Sequence, residues 1–138
     1  MEMVFWKVAM KPGKPLAFGT IEKKPVFGLP GNPVSSMVSF EQFVRPSLLK
    51  MMGHCQIFRP MIEAILKEDI RKEPGRRHFI RASVSFEENR YFVTITGAQG
   101  SGILRSMVRA NGLIVIPEDQ GMVKAGEKVK VQLLDRSF

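Results

Sequence analysis

"VFGLPGNPVSS", residues 26–36, passes from apolar to turn-forming to small and hydroxylated within a few positions. Asn32 suits a helix N-cap. Pro33 suits the first helical position, where its missing N–H would have no partner. Val34, Met37, Val38, Val44, Leu48, Leu49 and Met52 then recur at helical spacing and give one apolar face. Pro46 is expected to kink or restart the helix near Arg45, and Gly53 to end it. With the apolar strand "KPVFGL" before it, residues 26–53 read as strand, tight turn and helix, half of a β-α-β unit.

Upstream, "VFWKVAMKPGKP" begins as a strand, with Val4, Trp6, Val8 and Met10 alternating with Phe5, Lys7, Ala9 and Lys11 until "PGKP" breaks it. Two strands and one helix are too little for an open α/β sheet covered on both faces. The expected fold class is therefore a partial α/β layer, the C-terminal half of a larger three-layer domain, followed by a small all-β barrel. The barrel reading rests on a change of rhythm after "GHCQIFRP", residues 53–60. "MIEAILKEDI" alternates loosely. "HFIRASVSF" and "RYFVTIT" are strands joined by "EENR", and "NGLIVIP" and "EKVKVQLL" are strands with polar turns between them. "GAQGSGILRSMVRA" is Gly-rich and then briefly helix-compatible. The expected domains are residues 1–54 and 55–138.

Composition narrows the function classes. The 138 residues include 44% apolar residues, enough for a core, and no run approaches the roughly 20 apolar residues of a membrane span. No signal peptide is visible. The single cysteine, Cys55, excludes an internal disulfide; the expected compartment is the cytoplasm, with no membrane partner. With only two histidines beside it, a zinc site is not expected. A net charge of +8 suggests an anionic partner, whether phosphate, another oxyanion or nucleic acid; a solvated basic surface gives the same balance.

Three stretches could meet an anion. The Gly31-Asn32-Pro33 turn leaves backbone N–H groups at a helix start, with the Ser35 and Ser36 hydroxyls close by. A plain strand-to-helix connection has the same composition. Lys7 and Lys11, four apart on one expected strand, face the same side, and Lys14 follows the Pro-Gly turn. An edge strand guarded by lysines reads the same way. "EPGRRHFIRAS" sets Arg76 and Arg77 behind a turn with Arg81 further along, and "TGAQGSG" offers Gln99 and Ser101. An ordinary hairpin end and barrel loop would also look so. His78 could act as a base or be structural; His54 and Cys55 read as a helix-end residue and a packing residue. No Ser-His-Asp or paired-carboxylate arrangement stands out.

The ordered series "KVAMKPGKP", "FGLPGNPVSSMVSFEQFVRP" and "PGRRHFIRA" with "TGAQGSGILRSMVRANGLIVIP" resembles the C-terminal part of molybdopterin molybdenumtransferases, the MoeA and gephyrin E-domain family. The resemblance covers nearly the whole chain. It implies an enzyme of molybdenum cofactor biosynthesis that binds adenylylated molybdopterin and molybdate, inserts molybdenum into the dithiolene and releases AMP with a divalent metal ion, Mg2+. By motif, Lys7, Lys11 and Lys14 resemble the family's active-site lysines. Pro15 and Ser35 resemble positions lining the molybdate pocket, and Gly31, Asn32 and Pro33 the turn beneath it. Arg76 and Ser101 resemble barrel residues that reach the same oxyanion. Ser36 and Arg81 correspond more distantly.

The resemblance also implies what the chain lacks. The family's acidic metal ligands and Gly-rich substrate loop lie upstream of the matching region, so no metal ligand is assigned and this part alone is expected to be inactive. A homodimer is implied for the full-length parent. A basic nucleic-acid-binding module is the alternative, although Tyr91 and Phe92 are adjacent and point to opposite faces, which makes no stacking platform. A non-catalytic scaffold fragment is the other alternative.

Overall fold

A computed structural model describes residues 1–100 and 103–134. Four strands precede the helix: β1 (Glu2–Phe5), β2 (Met10–Lys11), β3 (Ala17–Ile21) and β4 (Lys24–Gly28). β1, β3 and β4 form an antiparallel sheet in that order. Phe5 pairs with Phe18 and Phe18 with Phe27, so the rings stack in a row across the sheet at centroid distances of 5.6 and 4.9 Å.

Two expectations for this region are corrected. Residues 4–11 are not one strand. β1 ends at Phe5 and the chain bends before β2, because β1 belongs to the small sheet while β2 pairs with a strand of the barrel. Lys7 and Lys11 therefore do not share a strand. β3 was not expected at all. It meets β4 through Glu22 and Lys23, whose φ values are 49° and 65°. Such two-residue turns usually carry Asn or Gly, so Glu-Lys gave no turn signal.

The helical region starts where the sequence places it. Asn32 holds the extended N-cap conformation and Pro33 opens α1 (Pro33–Ser39). A π-helical stretch, Phe40–Val44, follows, with the Arg45 N–H donating to the Phe40 carbonyl, and α2 (Arg45–Met51) continues from it. Pro46 accounts for the change of winding: it has no N–H to offer Gln42, and its ring crowds that carbonyl.

The remaining strands are β5 (Met61–Leu66), β6 (Ile70–Arg71), β7 (Arg77–Glu87), β8 (Arg90–Ile95), β9 (Gly112–Ile116), β10 (Met122–Val123) and β11 (Lys128–Leu133), with α3 (Leu104–Val108) before β9. β7, β8, β5, β11 and β9 form a ring that closes where β9 returns to β7. The closed ring leaves these five strands no free edge. The eleven-residue β7 makes closure possible: Ala82–Glu87 pairs with β8 and His78–Ala82 with β9. Ile80, Ala82 and Val84 point into the barrel core with Leu66, Val93, Ile114, Ile116 and Val131. Gly112 is needed here, since a Cβ would lie 2.8 Å from Val131 Cγ1.

Phe79 and Leu113, on the opposite face of the β7/β9 seam, pack instead with Val34, Val38, Met10 and Met107. These strands are thus buried on both faces, which explains the unbroken apolar run of β9. Polar bonds reinforce the contact. The Gln42 amide donates to Gln132 on β11. Arg59 donates to both Glu41 carboxylate oxygens, at 2.9 and 3.1 Å, and to the Leu134 carbonyl at 2.8 Å. Arg59 thereby ties residues 52–60, the helix and the end of β11 together. Arg59→Ala strands a half-buried carboxylate, and we expect it to lower unfolding stability by about 1–3 kcal/mol in urea titration.

Candidate anion-binding cleft

β2 lies parallel to the start of β7, with Met10 opposite Arg77 and Lys11 opposite His78. The Arg77 N–H donates to the Ala9 carbonyl at 2.9 Å. Two residues of ladder thus place Lys11 beside the strand that carries His78 and Arg81 and beside the loop that carries Arg76. The four side chains line one cleft of about 730 Å³, together with Arg71, Lys72 and Gln99. Asp69 and Glu73 are its carboxylates, and Asp69 accepts the Ala125 N–H at 2.7 Å.

Arg81 is 1% exposed. Its Nε donates to Ser106 Oγ and its Nη2 to the Gly100 carbonyl, both at 3.2 Å. None of the ion pairs among the described residues involves it, and burial pushes its pKa down. Gln99 docks on the same strand residue, accepting the Arg81 N–H at 2.9 Å and donating to its carbonyl at 3.1 Å. That pair of bonds brings the Gly-rich loop to the cleft wall. Lys72 is also buried. A guanidinium and an ammonium group held out of water without a carboxylate favour an arriving anion.

His78 reports the same field. Its pKa is lowered from 6.5 to about 4, first by burial, then by the charges of Lys72, Lys11 and Arg76. The imidazole on this wall stays neutral well below its ordinary range because burial disfavours its charged form and a proton would add to cations already there.

The structure gathers some of the expected residues and not others. Lys11 and Arg76 line the cleft. Lys7 does not; it lies over the Trp6 ring, 4.7 Å from the centroid. Lys14 and Pro15 are exposed just beyond Gly13 and are not part of the cleft wall. Gly13 has φ +107°, and a Cβ on it would sit 2.6 Å from Ser39 Oγ and 3.7 Å from the Ser35 carbonyl, so the Lys14–Pro15 turn rests on α1. Gly31, Asn32 and Pro33 also lie outside the cleft, and Ser35 is 6% exposed. Ser36 faces a separate cavity of about 280 Å³ with Leu29, Met37 and Met107. Ser101 lies outside the described residues; its neighbour Gly100 lines the cleft. Sequence reasoning missed Lys72, which reads as one more charge in "RKEPGRR". The signal was the length of the interval to Arg76, short enough for the lysine to fold back on the turn. No group of three or more His, Cys, Asp or Glu suited to a metal occurs among the described residues. No described helix is long and apolar enough to cross a membrane.

Comparison with known proteins gives two family matches: "MoeA C-terminal region (domain IV)" over residues 63–134, and "Probable molybdopterin binding domain" over residues 1–50. Among curated relatives, a molybdopterin molybdenumtransferase of Haemophilus influenzae is 41% identical over 130 residues, covering 93% of this chain and 32% of the relative. Gephyrin of Dictyostelium discoideum is 37% identical over 154 residues, covering 94% of this chain and 21% of that protein. The crystal structure of a molybdopterin biosynthesis moeA protein from Pyrococcus horikoshii superposes with a TM-score of 0.76 at 36% identity, over 95% of this chain and 32% of that one. The chain spans about a third of the length of the molybdenumtransferases it matches.

The His78 shift has a consequence for stability. Between pH 6.5 and about 4 the unfolded chain binds the His78 proton and the folded chain does not. Unfolding stability should therefore fall as pH drops through that window. His78→Gln should flatten this part of the profile, measured by urea unfolding at half-unit pH steps.

Proposed function

The chain belongs to the MoeA family through the C-terminal region that spans most of its barrel, and on that premise we propose that its cleft is the oxyanion-binding part of a molybdopterin molybdenumtransferase. The whole protein works in molybdenum cofactor biosynthesis: it takes adenylylated molybdopterin and molybdate, places molybdenum on the dithiolene and releases AMP. One observation carries the reading for this chain. Lys11, Lys72, Arg76 and the buried Arg81 line a single cleft. Molybdate is a dianion and the pterin carries phosphate, so both gain from several cations lining one cleft. Arg76 can grip two oxygens at once, Lys11 supplies a mobile point charge, and neutral His78 can donate one N–H without repelling its neighbours.

The other expected residues keep proposed roles around this centre. Lys14, Pro15, Gly31, Asn32, Pro33 and Ser35 form the adjoining wall against α1, Lys7 an outer charge, and Ser101 the tip of the Gly-rich loop. No nucleic acid or membrane is a partner, the parent is a homodimer, and its compartment is the cytoplasm. We also propose that the pterin-binding segment runs through residue 54 and the barrel segment from 55. Mg2+, which the family resemblance implies, does not fit the cleft residues of this chain: Asp69 and Glu73 stand among cations, and Asp69 is engaged by Ala125. Its ligands are assigned to other parts of the full-length protein.

Two measurements test the reading. Molybdate titrated into this chain should bind, and should raise the His78 pKa by offsetting the cations around it. Lys11→Ala and Arg76→Ala should each weaken binding about tenfold, roughly 1.4 kcal/mol by calorimetry. Binding that neither variant weakens would move the site elsewhere. In the full-length protein, Lys11→Ala should cut AMP release from adenylylated molybdopterin about a hundredfold, the scale of losing one aimed charge. The chain by itself should release none.

A further inference from the structure

We propose that Lys72 is a positioning residue of the cleft: its ammonium group holds the turn of residues 73–76, and with it the Arg76 guanidinium, against the wall formed by Lys11 and His78. The inference rests on the anion reading for its purpose, but its geometry stands separately.

Lys72 follows β6, which among the described residues pairs with just the two residues of β10. The turn after it has little ladder to define it. Four hydrogen bonds do so instead. The Lys72 N–H donates to the Gly121 carbonyl at 2.8 Å and the Gly75 N–H to the Glu118 carbonyl at 2.8 Å, which tie the turn from outside. From the cleft side, Lys72 Nζ donates to the Arg76 carbonyl at 2.9 Å, with the Glu73 carbonyl at 3.5 Å. The side chain thus closes the turn upon itself and fixes the backbone from which Arg76 projects.

The choice of an ammonium group for this task is unusual. Lys72 is 9% exposed, and none of the ion pairs among the described residues includes it. A lysine so buried ordinarily has a carboxylate partner. A glutamine or serine could bond a carbonyl without the cost of burying charge. Carbonyl partners satisfy the ammonium protons, and Glu118, the carboxylate that feels this charge, is already paired with Arg77, so the group that shapes the turn also adds positive charge to the cleft. Lys11 from β2 and Arg76 from the turn line the cleft with His78 and Lys72, and the charges of all three act on the imidazole. Asp69, Arg71, Glu73 and Arg81 complete the charged lining.

The test uses this chain with two substitutions. Lys72→Met keeps the stem and removes both donors and charge; Lys72→Arg keeps both. Amide hydrogen exchange, molybdate calorimetry and an NMR titration of His78 are the readouts. In Lys72→Met the Gly75 amide should exchange about tenfold faster or more while Val84 and Val131 in the barrel keep their rates. Molybdate affinity should fall about tenfold. The His78 pKa should rise from about 4 towards its ordinary 6.5. Lys72→Arg should stay within about threefold of the parent on the first two readouts and keep His78 low. Faster exchange throughout the barrel in Lys72→Met would make Lys72 a general stability residue and overturn the proposal. So would unchanged Gly75 exchange with unchanged molybdate affinity. If the parent chain binds no molybdate while Gly75 alone loosens in Lys72→Met, the anion reading fails and the positioning role stands.

Discussion

The pairing of Met10 and Lys11 with the first residues of β7 is the contact on which the rest of the site depends. It is only two residues long. It is also the place where the N-terminal segment enters the barrel sheet. A lysine more than sixty positions before His78 becomes its lateral neighbour through this pairing. Parallel strands need a long connection between them, and here that connection contains β3 and β4 of the small Phe-lined sheet, the helical region, the barrel strand β5 and the short β6. The reach of the connection makes the pairing sensitive to how everything between is packed.

The second face of the β7/β9 seam supplies that packing. Strands of a small barrel usually bury one side and wet the other. Here Phe79 and Leu113 face outward and are covered by Val34 and Val38 of α1 and Met107 of α3. Covering the seam holds α1 close enough for Gly13 to rest on Ser35 and Ser39. That contact seats the Lys14–Pro15 turn on α1. Apolar burial thus sets the distance between the two charged stretches, and the charges do not have to attract one another.

Electrostatics in the cleft is arranged by exclusion. Two carboxylates near the cleft or on its rim are engaged with other groups: Glu118 pairs with Arg77 and Asp69 accepts a backbone amide, while Glu73, the other lining carboxylate, is in none of the ion pairs among the described residues. Arg81 and Lys72 are satisfied by hydroxyl and carbonyl oxygens, which solvate a cation without cancelling it. His78 is kept neutral first by its burial and then by these uncancelled cations. Such a cleft is chemically prepared for a multiply charged anion.

The local rules decided much of this in advance. Asn32 and Pro33 set the helix start, Pro46 set the change of winding, and alternation with polar turns set the long strands of the barrel. These depend on backbone sterics and on hydrophobic period, both carried by neighbouring residues. The hairpin at Glu22 and Lys23 escaped because its residues bear a conformation that other residues usually adopt. The break between β1 and β2 escaped because alternation runs through Trp6–Ala9 without interruption, and only the partner strands differ. Lys11 and Arg76 were legible as candidates for an anion site; that they share one cleft with His78, Lys72 and Arg81 was not. Whether a lysine is a solvated edge charge, like Lys7, or a buried carbonyl-bound one, like Lys72, depends on what the fold brings over it. That is a property of burial between distant segments, which the sequence does not carry at any one position and only the closed barrel with its docked helix decides.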